Sequence, residues 1–275
     1  MSDIFVATTG NDTTGDGSVG NPFLTVDKAQ TVGIDNDVIK IQNGTYDEGN
    51  LKVNVNKTLT VESVSGDPRD VIITKYQWRH GSGTHTYTIK NVTWKSKDTG
   101  FEFGTVIEGS SGVFTLDIQR CVFIGQIDRE VVQFGSGLNS SSVCTITNCI
   151  IDTTAADGRG VAVESGTMTV KNTILQNHNF AAREQVGDIL IIENCCFFNN
   201  NTDTQGSPSL LDNIFVDPEL EPDLSILTSS PCADAGQVVV PITDGFLGAA
   251  PDIGFFESAP NQAPTAPTNL AVVET

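Results

Sequence analysis

Long apolar runs are missing from this sequence. The longest aliphatic run is Ile189–Ile192, far short of the roughly 20 residues that span a bilayer as a helix. Basic residues are scarce: 15 Lys and Arg stand against 34 Asp and Glu, a formal net charge of −19. That balance excludes a nucleic-acid binder, which needs a basic face to displace counterions from phosphates. It also disfavours unaided binding to an acidic membrane or a polyuronate chain. Cysteine is sparse, six in 275 residues, too few for a disulfide scaffold. The start, Met1-Ser2-Asp3-Ile4-Phe5, carries neither a basic nor an apolar leader region, so no signal peptide is expected on this chain. Helical periodicity is nearly absent. One short helix is expected at Thr25–Val32, with Thr25 as its N-cap. Against these absences, an apolar fraction of 38% and 26 glycines are ordinary for a globular chain. The expected protein is soluble and acidic.

What is present is a repeat of short β-branched runs cut by Gly, Asn, Asp and Ser. Five segments superpose: Thr86–Trp94, Thr115–Phe123, Val143–Ile151, Thr167–Leu175 and Ile189–Phe197. Their anchors are Asn91, Arg120, Asn148, Asn172 and Asn194, spaced 29, 28, 24 and 22 residues apart. Tyr87, Leu116, Cys144, Met168 and Leu190 stand four residues before the anchor; Ile89, Ile118, Ile146, Val170 and Ile192 stand two before it. Val92, Cys121, Cys149, Thr173 and Cys195 follow at one residue after, and Trp94, Phe123, Ile151, Leu175 and Phe197 at three. Period two holds on both sides, but its phase shifts by one across the anchor. That pattern predicts two strands joined by a sharp bend, with the anchor pointing outward or bonding its neighbours. No single repeat can bury its inner face, but a stack can. The expected fold is all-β: a right-handed parallel β-helix with like side chains stacked, an asparagine ladder, and the cysteine column as small buried filler. Trp94 is expected in the core.

The two ends carry recognisable text. Residues 4–47 contain Ile-Phe-Val-Ala-Thr-Thr-Gly-Asn-Asp, Asn-Pro-Phe-Leu-Thr-Val-Asp-Lys-Ala and Asp-Val-Ile-Lys-Ile-Gln-Asn-Gly-Thr-Tyr-Asp. They resemble the entry module of pectate-lyase-like right-handed β-helix proteins, in which a strand and loop lead to a helix that caps the solenoid. The text from Asp217-Pro218 through Leu227–Gly236 to Asp252–Glu257 resembles the closing module of that superfamily. The resemblance implies a division into residues 1–34 (strand, loop, capping helix), 35–257 (β-helix with closing segment) and 258–275 (extended Pro-rich tail). The tail resembles a linker into a fibronectin-type-III domain. Lyases, hydrolases, adhesins and phage tailspikes share this scaffold, so function must be argued from a site.

No catalytic string of β-helix enzymes is present: the paired-Asp, Gly-His-Gly and Arg-x-Lys set of polygalacturonases has no match, and His80, His85 and His178 stand in none of the familiar motifs. Position offers one candidate instead. Counted from the anchors, Asp128, Arg129 and Glu130, then Asp157 and Arg159, then Arg183 and Glu184 fall at offsets of 8–12 residues on successive coils. Stacked on one outer face, Asp128, Glu130, Asp157 and Arg159 are the residues that would serve glycoside hydrolysis; the competing reading is solvated ion pairs between loops. Tyr76, Trp78, Arg79 and His80 form a candidate sugar- or protein-binding patch, or else a long loop folded on the solenoid. The Gly10–Ser18 loop, through Asp12 and Asp16, is a candidate Ca²⁺ site, which Asx turns explain equally well. No other cofactor is expected.

Two functions compete. One is a polysaccharide lyase or hydrolase. The favoured one is a non-enzymatic structural or adhesive protein of a phage virion, contacting capsid or host glycans. It would be a homotrimer, docked to a capsid or tail protein through its C-terminal tail. A carbohydrate-binding module at the cell surface or outside the cell is the remaining reading.

Overall fold

A computed structural model describes residues 2–80, 83–95, 105–107, 112–125, 130–135, 138–153 and 157–258; of 49–55, 75–80 and 105–107 it describes the backbone alone. The chain is a right-handed parallel β-helix with three sheets. The first sheet holds, in spatial order, Asp3–Val6, Asp37–Ile41, Leu59–Ser63, His85–Lys90, Phe114–Gln119, Val143–Thr147, Thr167–Lys171, Ile189–Glu193 and Ser209–Leu211. The second runs from Gly44–Val55 to Cys196–Phe198, and the third from Thr105–Ile107 to Thr202–Gln205. Every inter-strand pairing in these sheets is parallel, as in Cys144 opposite both Leu116 and Met168. The sequence repeats account for the middle of the first sheet. Its outer coils, at Asp37–Ile41, Leu59–Ser63 and Ser209–Leu211, lack the Asn-centred text and escaped the repeat reading.

The core is the stack of inward columns. Leu116, Cys144, Met168 and Leu190 form one, and Ile118, Ile146, Val170 and Ile192 the next, all fully buried. Trp94 lies in the core and stacks on Phe123 with centroids 5.8 Å apart. At the entry end, the helix Val26–Val32 is capped by the Thr25 side chain, which accepts from Lys28 N. Glu48, from the coil beneath, accepts the free N–H groups of Val26 and Asp27 at 2.9 and 3.2 Å, so the first turn is satisfied from two directions.

The bend has a simple cause. Asn91, Arg120, Asn148, Asn172 and Asn194 all adopt positive φ, between 47° and 54°. One left-handed residue between two strands reverses the phase of the alternation, which is the one-residue shift in the text; Asn tolerates that conformation best after Gly. Each anchor N–H donates to a carbonyl of the following coil, as Asn148 to Lys171 at 3.1 Å. The side-chain ladder is shorter than the repeat implied. Asn172 bonds Asn148, but Asn148, Asn172 and Asn194 otherwise donate to carbonyls of the closing segment: Gly254, Gln237 and Ala235.

The cysteine column does more than fill space. All six cysteines are free and buried. Cys121, Cys149 and Cys195 each donate Sγ–H to the carbonyl two residues before, at 3.3–3.4 Å. Thr173, in the same column, does so with its hydroxyl at 2.8 Å. The position takes a small buried side chain, Val92 at the first of these coils, and where that side chain can donate it bonds the bend.

The closing segment does not continue the solenoid. Among the described residues the last strand ends at Leu211, and residues 217–258 run back along the outside. Ile226, Cys232, Ile253 and Phe255 cover Val122, Ile150, Ile174 and Cys196, the outward residues of the second sheet. These stand two residues after their anchors, so the second sheet is apolar on both faces. At its far end Arg69 bonds Asp223 at 2.8 Å and lies 5.1 Å from the Phe256 ring centroid.

Candidate functional site

The outer patch expected from anchor counting lies on the third sheet. Glu130 is directly opposite Arg159, and Arg159 opposite Phe180. Glu130 is almost completely buried, 3% exposed. Its Oε1 accepts from Arg159 Nη1 at 2.8 Å and forms an ion pair with Arg183 Nη2 at 3.0 Å, while Arg183 Nη2 donates to Glu164 at 2.6 Å. The Arg159 guanidinium lies 5.9 Å from the Phe180 ring centroid. Three successive coils are thus bridged by one carboxylate. Equal offsets would have set Arg159 beside Arg183. Instead the third strand begins at a different distance from each anchor, and Arg183 pairs with Ala162. Glu164 was missed because it follows its strand, in the turn of residues 164–166.

The other described members of the patch, Glu184 and Asp157, do not converge with Glu130 on an open reaction centre. Glu184 accepts the N–H groups of Leu190 and Ser207, each at 3.0 Å, and so shapes the turn between coils. Asp157 is exposed in the turn before Arg159–Val163. Asp128 and Arg129 lie outside the described residues. A carboxylate buried against two guanidiniums offers no open edge to a substrate, whereas a hydrolase acid must reach the scissile bond.

Tyr76, Trp78, Arg79 and His80 are not in a loop. They belong to the strand Val71–His80, where Tyr76 pairs with Leu51, Trp78 with Val53, Arg79 with Asn54 and His80 with Val55. A strand forms because the β-branched run Val71–Thr74 passes into an alternation that places Tyr76 and Trp78 at every second residue. In the Gly10–Ser18 loop, Asp12 accepts from Leu24 N, Thr25 N and Thr25 Oγ1. Asn11 makes the Asx turn, accepting from Thr13 and Thr14 N–H. Bonds from the Ser18 hydroxyl and N–H hold the Asp16 carboxyl below its usual range. Among the described residues no three His, Cys, Asp or Glu side chains cluster as metal ligands.

The sequence reading missed a groove on the outer face of the first sheet. Its floor has two rows from three strands: Asp117, Thr145 and Thr169 in register, and beside them Gln119, Thr147 and Lys171. The closing segment builds one wall with Val239–Ile242, and the cavity measures about 230 Å³. Gln237 sets that wall: its N–H donates to Asn172 Oδ1 at 2.8 Å and its Nε2 to Glu193 at 3.0 Å. Glu193 also pairs with Lys171 at 2.8 Å, and the Lys171 and Gln237 bonds hold its carboxyl below the ordinary range. On the floor, Thr145 donates to Asp117 Oδ1 at 2.7 Å and Gln119 to Oδ2 at 2.5 Å. Outward threonines in alternate positions are the one signal in the text, and they read equally as a plain wet sheet face. The wall residues lie about 100 positions away in sequence.

The fold places the chain among parallel β-helix proteins. Two solved structures are similar to it. A rhamnogalacturonan lyase aligns at 12% identity and TM-score 0.47, over 78% of this chain and 73% of that one. Pectate lyase Pel9A aligns at 13% identity and TM-score 0.35, over 94% of this chain and 96% of that one. No protein-family model matches the sequence. No curated protein sequence matches it either.

Proposed function

We propose that this protein is a non-catalytic β-helix, a structural or adhesive component that contacts a surface or glycan without cleaving it. The observation that carries this reading is the Glu130 clamp: the central carboxylate of the candidate acid–base patch is buried and bonded to Arg159 and Arg183. Its role is to tie coils together. Placement on a phage particle, as a trimer docked through residues 258–275, is the more specific form of the same reading. Two experiments test it. Incubation with polyuronates and neutral polysaccharides should release neither unsaturated products nor new reducing ends; release that Asp157→Asn or Asp128→Asn abolishes would replace this reading with a lyase or hydrolase. Mass spectrometry of purified particles from the source should find the chain among virion proteins; its absence there would remove the virion placement.

A further inference from the structure

We infer that the groove between the first sheet and Val239–Ile242 is a binding site for one neutral sugar unit. This inference deepens the glycan-contact reading above and rests on it. The floor is polar without being charged overall in favour of an anion. Asp117 is the acceptor, Gln119 and Lys171 are donors, and Thr145, Thr147 and Thr169 offer hydroxyls that both donate and accept. The two rows are held by a parallel register, so the spacing is set by the sheet, about 4.8 Å between coils and about 7 Å along each strand. Lys171 is already neutralised by Glu193, and Asp117 keeps a negative charge on the floor. An acidic sugar would meet that charge and a chain of net charge −19, so the site selects against it.

The opposite wall is apolar. Pro241 and Val240 are exposed, and Val239 and Ile242 are partly exposed. A pyranose has the matching halves: a rim of hydroxyls and a C–H face. The polar floor can meet the hydroxyl rim while the apolar wall meets the C–H face. The size is also selective, because 230 Å³ lies below the about 300–1,000 Å³ of ordinary ligand clefts. That volume holds one ring.

The floor and wall are fixed before any ligand arrives. The turn Val239–Thr243 is closed by Val239 N–H donating to Thr243 Oγ1 at 2.8 Å and by Thr243 N–H donating to Val239 O at 3.0 Å. Gln237 ties this turn to Asn172 and Glu193. Little ordering therefore opposes binding.

The test is saturation-transfer NMR on the full chain with methyl glycosides of glucose, galactose and mannose, and with methyl glucuronide as the acidic counterpart. At least one neutral glycoside should show saturable transfer, with the glucuronide weaker. Asp117→Asn and the isosteric Thr169→Val should each weaken it by about tenfold, the loss of one good hydrogen bond, while Asp203→Asn on the third sheet leaves it unchanged. Matching melting temperatures keep the comparison free of folding defects. Binding of no neutral glycoside, preference for the glucuronide, or equal binding by the groove variants would each overturn the site. The non-catalytic reading fails separately, by product release in the polysaccharide assay.

Discussion

Asn172 donates its side-chain amide to Asn148 Oδ1 one coil away, at 3.2 Å, and both residues hold a left-handed backbone. The same Asn172 amide donates to Gln237 O at 2.8 Å and its Oδ1 accepts Gln237 N–H at 2.8 Å. One residue therefore makes the bend, joins two coils and fastens the closing segment that walls the groove. Asn172→Ala should lose about 3 kcal/mol, from buried hydrogen bonds and the left-handed strain of alanine. Asn172→Gly should recover about 1 kcal/mol of that, since glycine carries no such strain. Urea denaturation of the two variants measures the split; equal losses would show that the bend is unstrained.

Ile146 is closed above and below by Ile118 and Val170 and is fully buried. Ile146→Asp should cost more than about 4 kcal/mol, because an unpaired charge enters a column with no polar partner. Ile146→Val should cost about 1 kcal/mol. Thermal melting of both gives the comparison, and an Asp variant that melts with the parent would mean the column does not point inward.

Glu130→Gln leaves the guanidiniums of Arg159 and Arg183 without their shared carboxylate. Both arginines are partly exposed, with side-chain exposures of 35% and 22%, and solvent screens part of the loss. About 2 kcal/mol of stability is expected to go. A melting temperature unchanged from the parent would show the clamp to be idle.

His178 is buried, its Nδ1 2.8 Å from Thr153 Oγ1 and its Nε2 3.1 Å from Ile151 O. Burial lowers its pKa from 6.5 to about 4, against the raising effect of the Ile151 carbonyl. The folded pKa lies below the unfolded one, so the neutral ring's contribution is present above pH 6.5 and is lost as pH falls toward 4. The loss approaches about 3 kcal/mol. Glu257 opposes it: burial first, then Asp252, raise its carboxyl from 4.5 to about 7, so its contribution is present at acid pH and fades as pH rises through 7. His178→Gln should flatten the acid limb of a stability-against-pH curve while leaving the Glu257 limb. An unchanged acid limb would locate the sensitivity elsewhere.

The repeats, the bend, the inward columns and the capping helix were legible because each is local: period two, a phase shift at Asn, and a Thr ahead of the helix need only neighbouring residues. Leu116 and Ile118 declare their burial two residues apart, whatever lies beyond. Counting along the chain failed where loop lengths vary, which is why Arg183 sits beside Ala162 rather than Arg159. The β-branched text of Val71–His80 was in view too, but its charged and amide residues masked the strand. Sequence alone therefore determined the solenoid, its hydrophobic columns and its acidic character, because stacking identical coils follows from one coil's pattern. Only the tertiary structure decided that residues 217–258 return along the coils, that Glu130 is spent on two arginines, and that Val239–Ile242 face Asp117 and Lys171. Those meetings join residues far apart in the chain, and no periodicity encodes a contact that occurs once.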